Sequence, residues 1–373
     1  MSNRAAPRIE AGAIIALRLY DIAYAIDLAR VESIGAALAP AVVSRIRLRR
    51  ADPKAIAFDV PPVEIGLRPI ELELDGVWRT LEATARVYDF GAISIALRLP
   101  VADLSWPEFV ARSGALKRAV SGPGAVPLWT ELLTRIREPI APALERASAS
   151  ELEEDYHLSV VRRFDRPITA AALLESIDLV PLLSGEEEPL SDAARRDLLR
   201  HSFSYYRNDL AVLAWDHAFL YDPSGDPDVA DVLEVANAQL LELRYYDERL
   251  DAELPRMYDR VEDARRAFRG LRRRQYADLA RDYYTLVAEV TEITERTDNA
   301  LKVTEDVYLA RIYGAALDLF RVRAQAAAVD RKLAIIRETY TALYDEAATA
   351  RAELLEVAIV VLIILEILLA FVF

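Results

Sequence analysis

Two groups of residues stand out as able to do chemistry. The first is a basic stripe, Arg265, Arg266, Arg269, Arg272, Arg273 and Arg274, six arginines in ten residues with Asp263 the nearest acid. On a helix, Arg265, Arg269 and Arg272 share one face and Arg273 lies beside it, a spacing suited to an anion such as an anionic lipid headgroup, RNA or an acidic protein surface. A solvated face paired with nearby Asp and Glu is the plainer reading. The second is a pair of carboxylates, Glu356 and Glu366, inside an otherwise apolar C-terminal run. Ten residues apart, they fall within about 80° on a helical wheel. A carboxylate deep in a bilayer costs about 2.5–3.5 kcal/mol, so such a group faces protein or water. The pair is expected to favour self-assembly, or else to sit near a headgroup layer.

Other chemistry finds less support. His157, His201 and His217 are far apart in sequence, and none forms the H-x-x-x-H spacing of a zinc site. Neither a G-x-x-x-x-G-K-[ST] nor a G-x-G-x-x-G phosphate cradle is present, and Ser121-Gly-Pro-Gly124 reads as a loop. The acid runs Glu151–Asp155 and Glu186–Glu188 read as solvated faces. Asp222-Pro-Ser-Gly-Asp-Pro-Asp228 looks like the start of a calcium loop, but Leu233 stands where a bidentate Glu belongs. Asp226 as helix N-cap with Pro227 behind it explains the segment better. No catalytic residue, metal or cofactor is therefore assigned.

Composition sets outer limits. The 373 residues are 53% hydrophobic and 28% charged, which excludes a disordered or collagenous chain. Without cysteine there is no disulfide, thiolate metal site or cysteine nucleophile. A net charge of −14 argues against wholesale nucleic-acid binding. Only Lys54, Lys117, Lys302 and Lys332 are lysines, a bias that points to a GC-rich prokaryotic genome.

The elements that must position these groups follow from periodicity. Residues 1–222 mix strand and helix signals and are expected to form an α+β domain. Asp75-Gly76 marks a hairpin. A shift of 117 residues places Tyr88 on Tyr205, Gly91 on Asn208, Ile93 on Leu210 and Ile95 on Val212, which suggests two similar β-α-β-β-α halves. Residues 226–353 read as a helical stalk. From Tyr308 to Leu354 apolar residues alternate spacings of four and three, continuing to Phe371, so one long coiled-coil helix is expected. Leu333, Ile336 and Leu343 lie in this seam and are expected to carry oligomerisation, with the partner either the Tyr276–Ile293 segment folded back or another subunit. Residues 354–373 are expected to form a C-terminal transmembrane anchor. With Arg331, Lys332, Arg337 and Arg351 just before it, the bulk of the chain would face the cytoplasm at a prokaryotic inner membrane. The N-terminal segment does not read as a signal peptide.

Leu355-Glu356, Ile359, Leu362-Ile363 and Glu366 resemble the close of the required-for-meiotic-nuclear-division family, whose shared domain is of unknown function. Val87–Ile93 is similar to that family's aromatic-Gly hairpin, and Leu301–Tyr308 to its lead into the last helix. The resemblance covers residues 80–373. Val357 departs from it, standing where many members have Trp. It implies a membrane-anchored, oligomeric protein. Mitochondrial relatives are associated with the inner membrane and organellar translation, but the family supplies no catalytic residues to map.

Together these features predict a membrane-tethered, self-associating, non-enzymatic scaffold that presents its α+β domain to a cytoplasmic protein partner. The competing expectations are an enzyme or nucleotide-binding protein using the α+β cleft, and a tether for RNA or the ribosome using the arginine stripe.

Overall fold

The computed structural model describes residues 6–372 apart from 39–42, 46–56, 59, 149, 187, 267–268, 300 and 303–306. In chain order the first strands and helix are β1 (Ile9–Asp21), β2 (Ala23–Ile26), α1 (Leu28–Leu38), β3 (Val43–Arg45), β4 (Ala57–Phe58), β5 (Val63–Gly66), β6 (Ile70–Leu74), β7 (Val77–Val87) and β8 (Ala92–Val101). Next come α2 (Trp106–Ser121), α3 (Val126–Ile140), β9 (Leu144–Ala147), β10 (Glu153–Phe164), α4 (Ala170–Ser176), α5 (Val180–Ser184) and α6 (Asp192–Leu198). The rest are β11 (Ser202–Phe203), β12 (Leu210–Leu213), β13 (His217–Tyr221), α7 (Asp228–Arg266), α8 (Arg269–Asn299), β14 (Leu301–Lys302), α9 (Val307–Leu319) and α10 (Val322–Val372).

Two compact units result. One holds Met1–Glu242 and Arg296–Arg323, the other Leu243–Glu295 and Ala324–Phe373. The division thus falls inside α7, α8 and α10 rather than at the Asp222–Asp228 loop.

The first unit is mixed α/β. Its large sheet runs in the order β11-β12-β13-β10-β1-β8-β7-β5-β3, with β6 also paired to β7. The long strands β1 and β10 lie at its centre: β1 is mostly apolar and buried or half-buried along its length, whereas β10 opens on Glu153, Glu154 and Asp155 and is covered chiefly from Tyr156 to Val161. Alternate residues of β1 point to opposite sides. Ile14 and Ala16 join a core with Trp106, Phe109 and Leu116 of α2 and Trp129, Leu132 and Ile136 of α3. On the other side the early turns of α7 and the helix α9 are buried, through Leu233, Ala236, Leu309 and Ile312. Asp75 (φ 47) and Gly76 (φ 80) take the left-handed positions of the β6–β7 hairpin. Gly91 (φ 106) is required for a further reason: a Cβ there would lie 1.9 Å from the Ala23 carbonyl oxygen.

The duplication is not found. β1 pairs antiparallel with β8, the second strand of its hairpin, whereas β10 pairs parallel with β13. β13 separates β12 from β10, and Asn208, unlike Gly91, has no positive φ.

The second unit is helical. Arg249 of α7 reaches Glu289 of α8 at 3.3 Å, and Lys332 of α10 contacts Asp247 and Asp251 of α7, each at 2.6 Å. Tyr340 of α10 meets Tyr284 of α8 edge to face, with ring centroids 5.9 Å apart. α7 continues through Pro255. The single long helix expected from Tyr308 onward is instead two, α9 and α10, because Arg321 adopts φ 58 between them and breaks the ladder.

The transmembrane anchor is overturned as well. Among the described residues no helix is long and apolar enough to cross a membrane. The unbroken apolar run Val357–Leu365 spans only about 14 Å before Glu366 interrupts it, against about 30 Å of hydrocarbon. The single-pass inner-membrane placement, and lipid contact through residues 354–373, lose their basis with it.

Candidate functional sites

The seam of α10 is filled from within the chain. Val329, Leu333, Ile336 and Leu343 are 0–5% exposed, and the contacts to Asp247, Asp251 and Tyr284 identify α7 and α8 as the helices beside them. Of the two partners expected for Leu333, Ile336 and Leu343, a folded-back segment of the same chain is the one that covers them in this single chain. Farther along the same helix the situation reverses. Leu355, Ile359 to Leu365, Ile367 and Leu368 are 49–63% exposed, and Glu356 and Glu366 are exposed among them.

The arginine stripe is divided. Arg265 and Arg266 end α7 and Arg269–Arg274 open α8, with 267–268 outside the described residues. Arg265 and Arg274 are exposed, and Arg266 is bonded to Glu262 at 3.1 Å. Arg269, Arg272 and Arg273 are described only in backbone.

Two of the three histidines come together, which their separation in sequence hides. The parallel pairing of β10 with β13 sets His157 directly beside His217, with ring centroids 6.0 Å apart. Ser159 Oγ and His217 Nε2 share a hydrogen bond of 2.9 Å, and Ser113 Oγ of α2 lies 3.2 Å from Ser159 Oγ. At the outer side Lys117 is paired with Asp216 at 2.5 Å. Burial, and then the Lys117 charge, pull His157 down to about 4. Burial and the neighbouring His157 hold His217 well below the ordinary range. Both rings are therefore neutral near pH 7. Ser159 and His217 are 0% and 2% exposed, so this Ser–His contact cannot reach a substrate and acts as a packed polar layer.

A denser ionic cluster lies on the opposite face of the sheet. Arg86 of β7 bonds Glu64 of β5 at 3.1 Å, and Asp231 and Glu234 of α7 at 2.6 and 2.8 Å. Tyr88 donates its hydroxyl to Glu234 at 3.0 Å. Burial opposes the Arg86 charge, but Glu234 and Asp231 outweigh it and raise its pKa. Burial pushes the Asp231 carboxyl up to about 6, against the pull of Arg86. Farther along α7, burial and the nearby Asp21 push Glu242 well above the usual carboxylate range. α7 therefore meets the sheet through acids as well as aliphatic side chains.

On the same face, a pocket opens between the sheet, the 222–228 loop and the first turns of α7 and α9. Ala13, Ile15, Val160 and Leu220 line its sheet side, Tyr206 and Tyr308 its rim, and Arg98 and Arg162 its charged edge. The loop is held by its own acids. Asp222 accepts from the Ser224 and Asp226 N–H groups at 2.8 and 3.1 Å, and Asp226 from the Asp228 N–H at 3.0 Å. Sequence periodicity gives no sign of this pocket, because its walls come from strands and loops distant along the chain.

The family model described as the N-terminal domain of uncharacterized protein MJ0711 matches residues 11–228. Uncharacterized protein MJ0711 of Methanocaldococcus jannaschii is 26% identical over 241 residues, which cover 64% of this chain and 73% of that protein. No solved structure matches. The resemblance to the required-for-meiotic-nuclear-division family is not shown by these matches, and half of its Leu301–Tyr308 motif, residues 303–306, lies outside the described residues. The matched span runs from the third residue of β1 to the first residue of α7 and takes in more than half of the chain: the protein belongs to the family of the MJ0711 N-terminal domain.

Proposed function

We propose that the chain is a non-enzymatic, self-associating scaffold whose assembly contact is the apolar end of α10, covered by the same segment of a second copy. The observation that carries the reading is the exposure of Leu355, Ile359–Leu365, Ile367 and Leu368 at 49–63% each. A helix that is apolar around its whole circumference is stable in water only when something covers it. A second copy is the natural cover, because every chain carries the same uncovered segment and a two-fold contact matches a surface to itself. The spacing of Val357, Val361, Ile364 and Leu368 continues the repeat of the seam upstream and suits helix-on-helix packing. Glu366 would find its hydrogen-bond partner across that contact. The similarity of the tail motif to the required-for-meiotic-nuclear-division family, with its implied oligomers, agrees with the same reading.

Sedimentation equilibrium tests it. The native chain is expected at a defined multiple of 41.8 kDa. The double variant Leu362→Asp, Ile363→Asp is expected at the mass of one chain, still folded by circular dichroism. A monomeric or polydisperse native chain overturns the proposal.

A further inference from the structure

The pocket of the first unit carries an inference independent of assembly. Its sheet side is apolar, and its rim is aromatic: Tyr205 stands edge to face with Tyr206 at 4.8 Å and tilted against Tyr308 at 5.5 Å. Ring faces and edges in this arrangement suit a flat or apolar ligand body.

The polar groups decide the ligand's charge. Four carboxylates line the opening: Asp228 is buried and has a partner of its own, and the other three are engaged by backbone N–H groups. Asp209 accepts from Tyr205 and Tyr206 at 2.7 and 3.0 Å, and Asp222 and Asp226 hold the loop as described above. Arg98 is engaged by Glu82 at 2.5 Å. Arg162 differs. It is exposed at the mouth, close to Gly225, where an added Cβ would come within 3.9 Å of its terminal nitrogen. Among the described residues it has neither an ion pair nor a hydrogen bond, and the Asn208 amide beside the same opening has none. A cation entering here would meet an uncompensated guanidinium. An anion would find a planar fork of donors with no competing partner.

We propose that this pocket binds a small organic anion, a flat aromatic body bearing one phosphate or carboxylate, with Arg162 taking the acidic group and Tyr206 and Tyr308 the ring. The test is isothermal titration of the full chain with phenyl phosphate, adenosine monophosphate and indole-3-acetate. Benzyltrimethylammonium and benzyl alcohol supply the cationic and neutral bodies. At least one of the anions is expected to bind, with the cation and the alcohol at least tenfold weaker. Arg162→Glu is expected to weaken the anion at least tenfold while leaving the thermal unfolding midpoint in place, since Arg162 holds nothing else. Tyr206→Ala is expected to weaken the anion as well, by a smaller factor. Binding of none of the three anions, equal or tighter binding of the cation or the alcohol, or unchanged affinity in Arg162→Glu each overturns it.

Discussion

Arg86 joins three acids from two elements, and its side chain is only 17% exposed. Replacing it with Met leaves Asp231 and Glu234 buried without their cation. Removing one partner of a buried pair typically costs about 3–5 kcal/mol, so Arg86→Met is expected to lower urea-unfolding stability by that order at pH 7. Arg86→Lys keeps the charge but loses the fork, and should fall between the two. The histidine layer makes a different prediction. In the folded chain His157 titrates near 4 rather than 6.5, so the fold favours the neutral ring. Its contribution is fully present above pH 6.5 and is lost as pH falls toward 4, amounting to about 3 kcal/mol by linkage. Urea midpoints measured from pH 7 to pH 4 are expected to fall, and His157→Gln is expected to flatten that fall. An unchanged slope in the variant would remove this role from His157.

At the scale of elements, α10 has two parts with different tasks. Up to Leu343 its 3.5-residue repeat is satisfied by α7 and α8, and Lys332 is held between Asp247 and Asp251. Leu333→Ala and Ile336→Ala should each cost about 2–4 kcal/mol of stability, because they open cavities in a filled seam. Neither should change the sedimenting mass. The charged substitutions at Leu362 and Ile363 are expected to lower that mass. A heptad repeat states that a helix has a partner, and it carries no information on whether that partner is in the same chain. The break at Arg321 is equally silent in sequence, since arginine in the left-handed region is set by packing at the α9–α10 junction and not by preference. By contrast, Asp75-Gly76 announces its turn, because few residue pairs accept both left-handed positions.

At the scale of the whole molecule, the N-terminal family domain is organised around one broad mixed sheet with helices on both faces, and the remaining helices divide between two units. The inferred duplication failed here because a shared turn pattern fixes a local hairpin but not which strand lies next to it. The membrane anchor is not found because no helix among the described residues is long and apolar enough to cross a bilayer, the run Val357–Leu365 before Glu366 being short. Local residue types alone determined the Asp75-Gly76 hairpin, the Asp226 cap on α7, the helical run after residue 228 and the recurrence of apolar residues along α10. Each follows from contacts within a few residues. Only the tertiary structure decided that His157 lies beside His217, that Arg86 gathers Glu64, Asp231 and Glu234, that Arg162 stands unpaired at a pocket, and that the α10 seam closes on its own chain. Each of these joins segments tens to more than a hundred residues apart, and strand order and helix docking, not periodicity, select which distant residues meet.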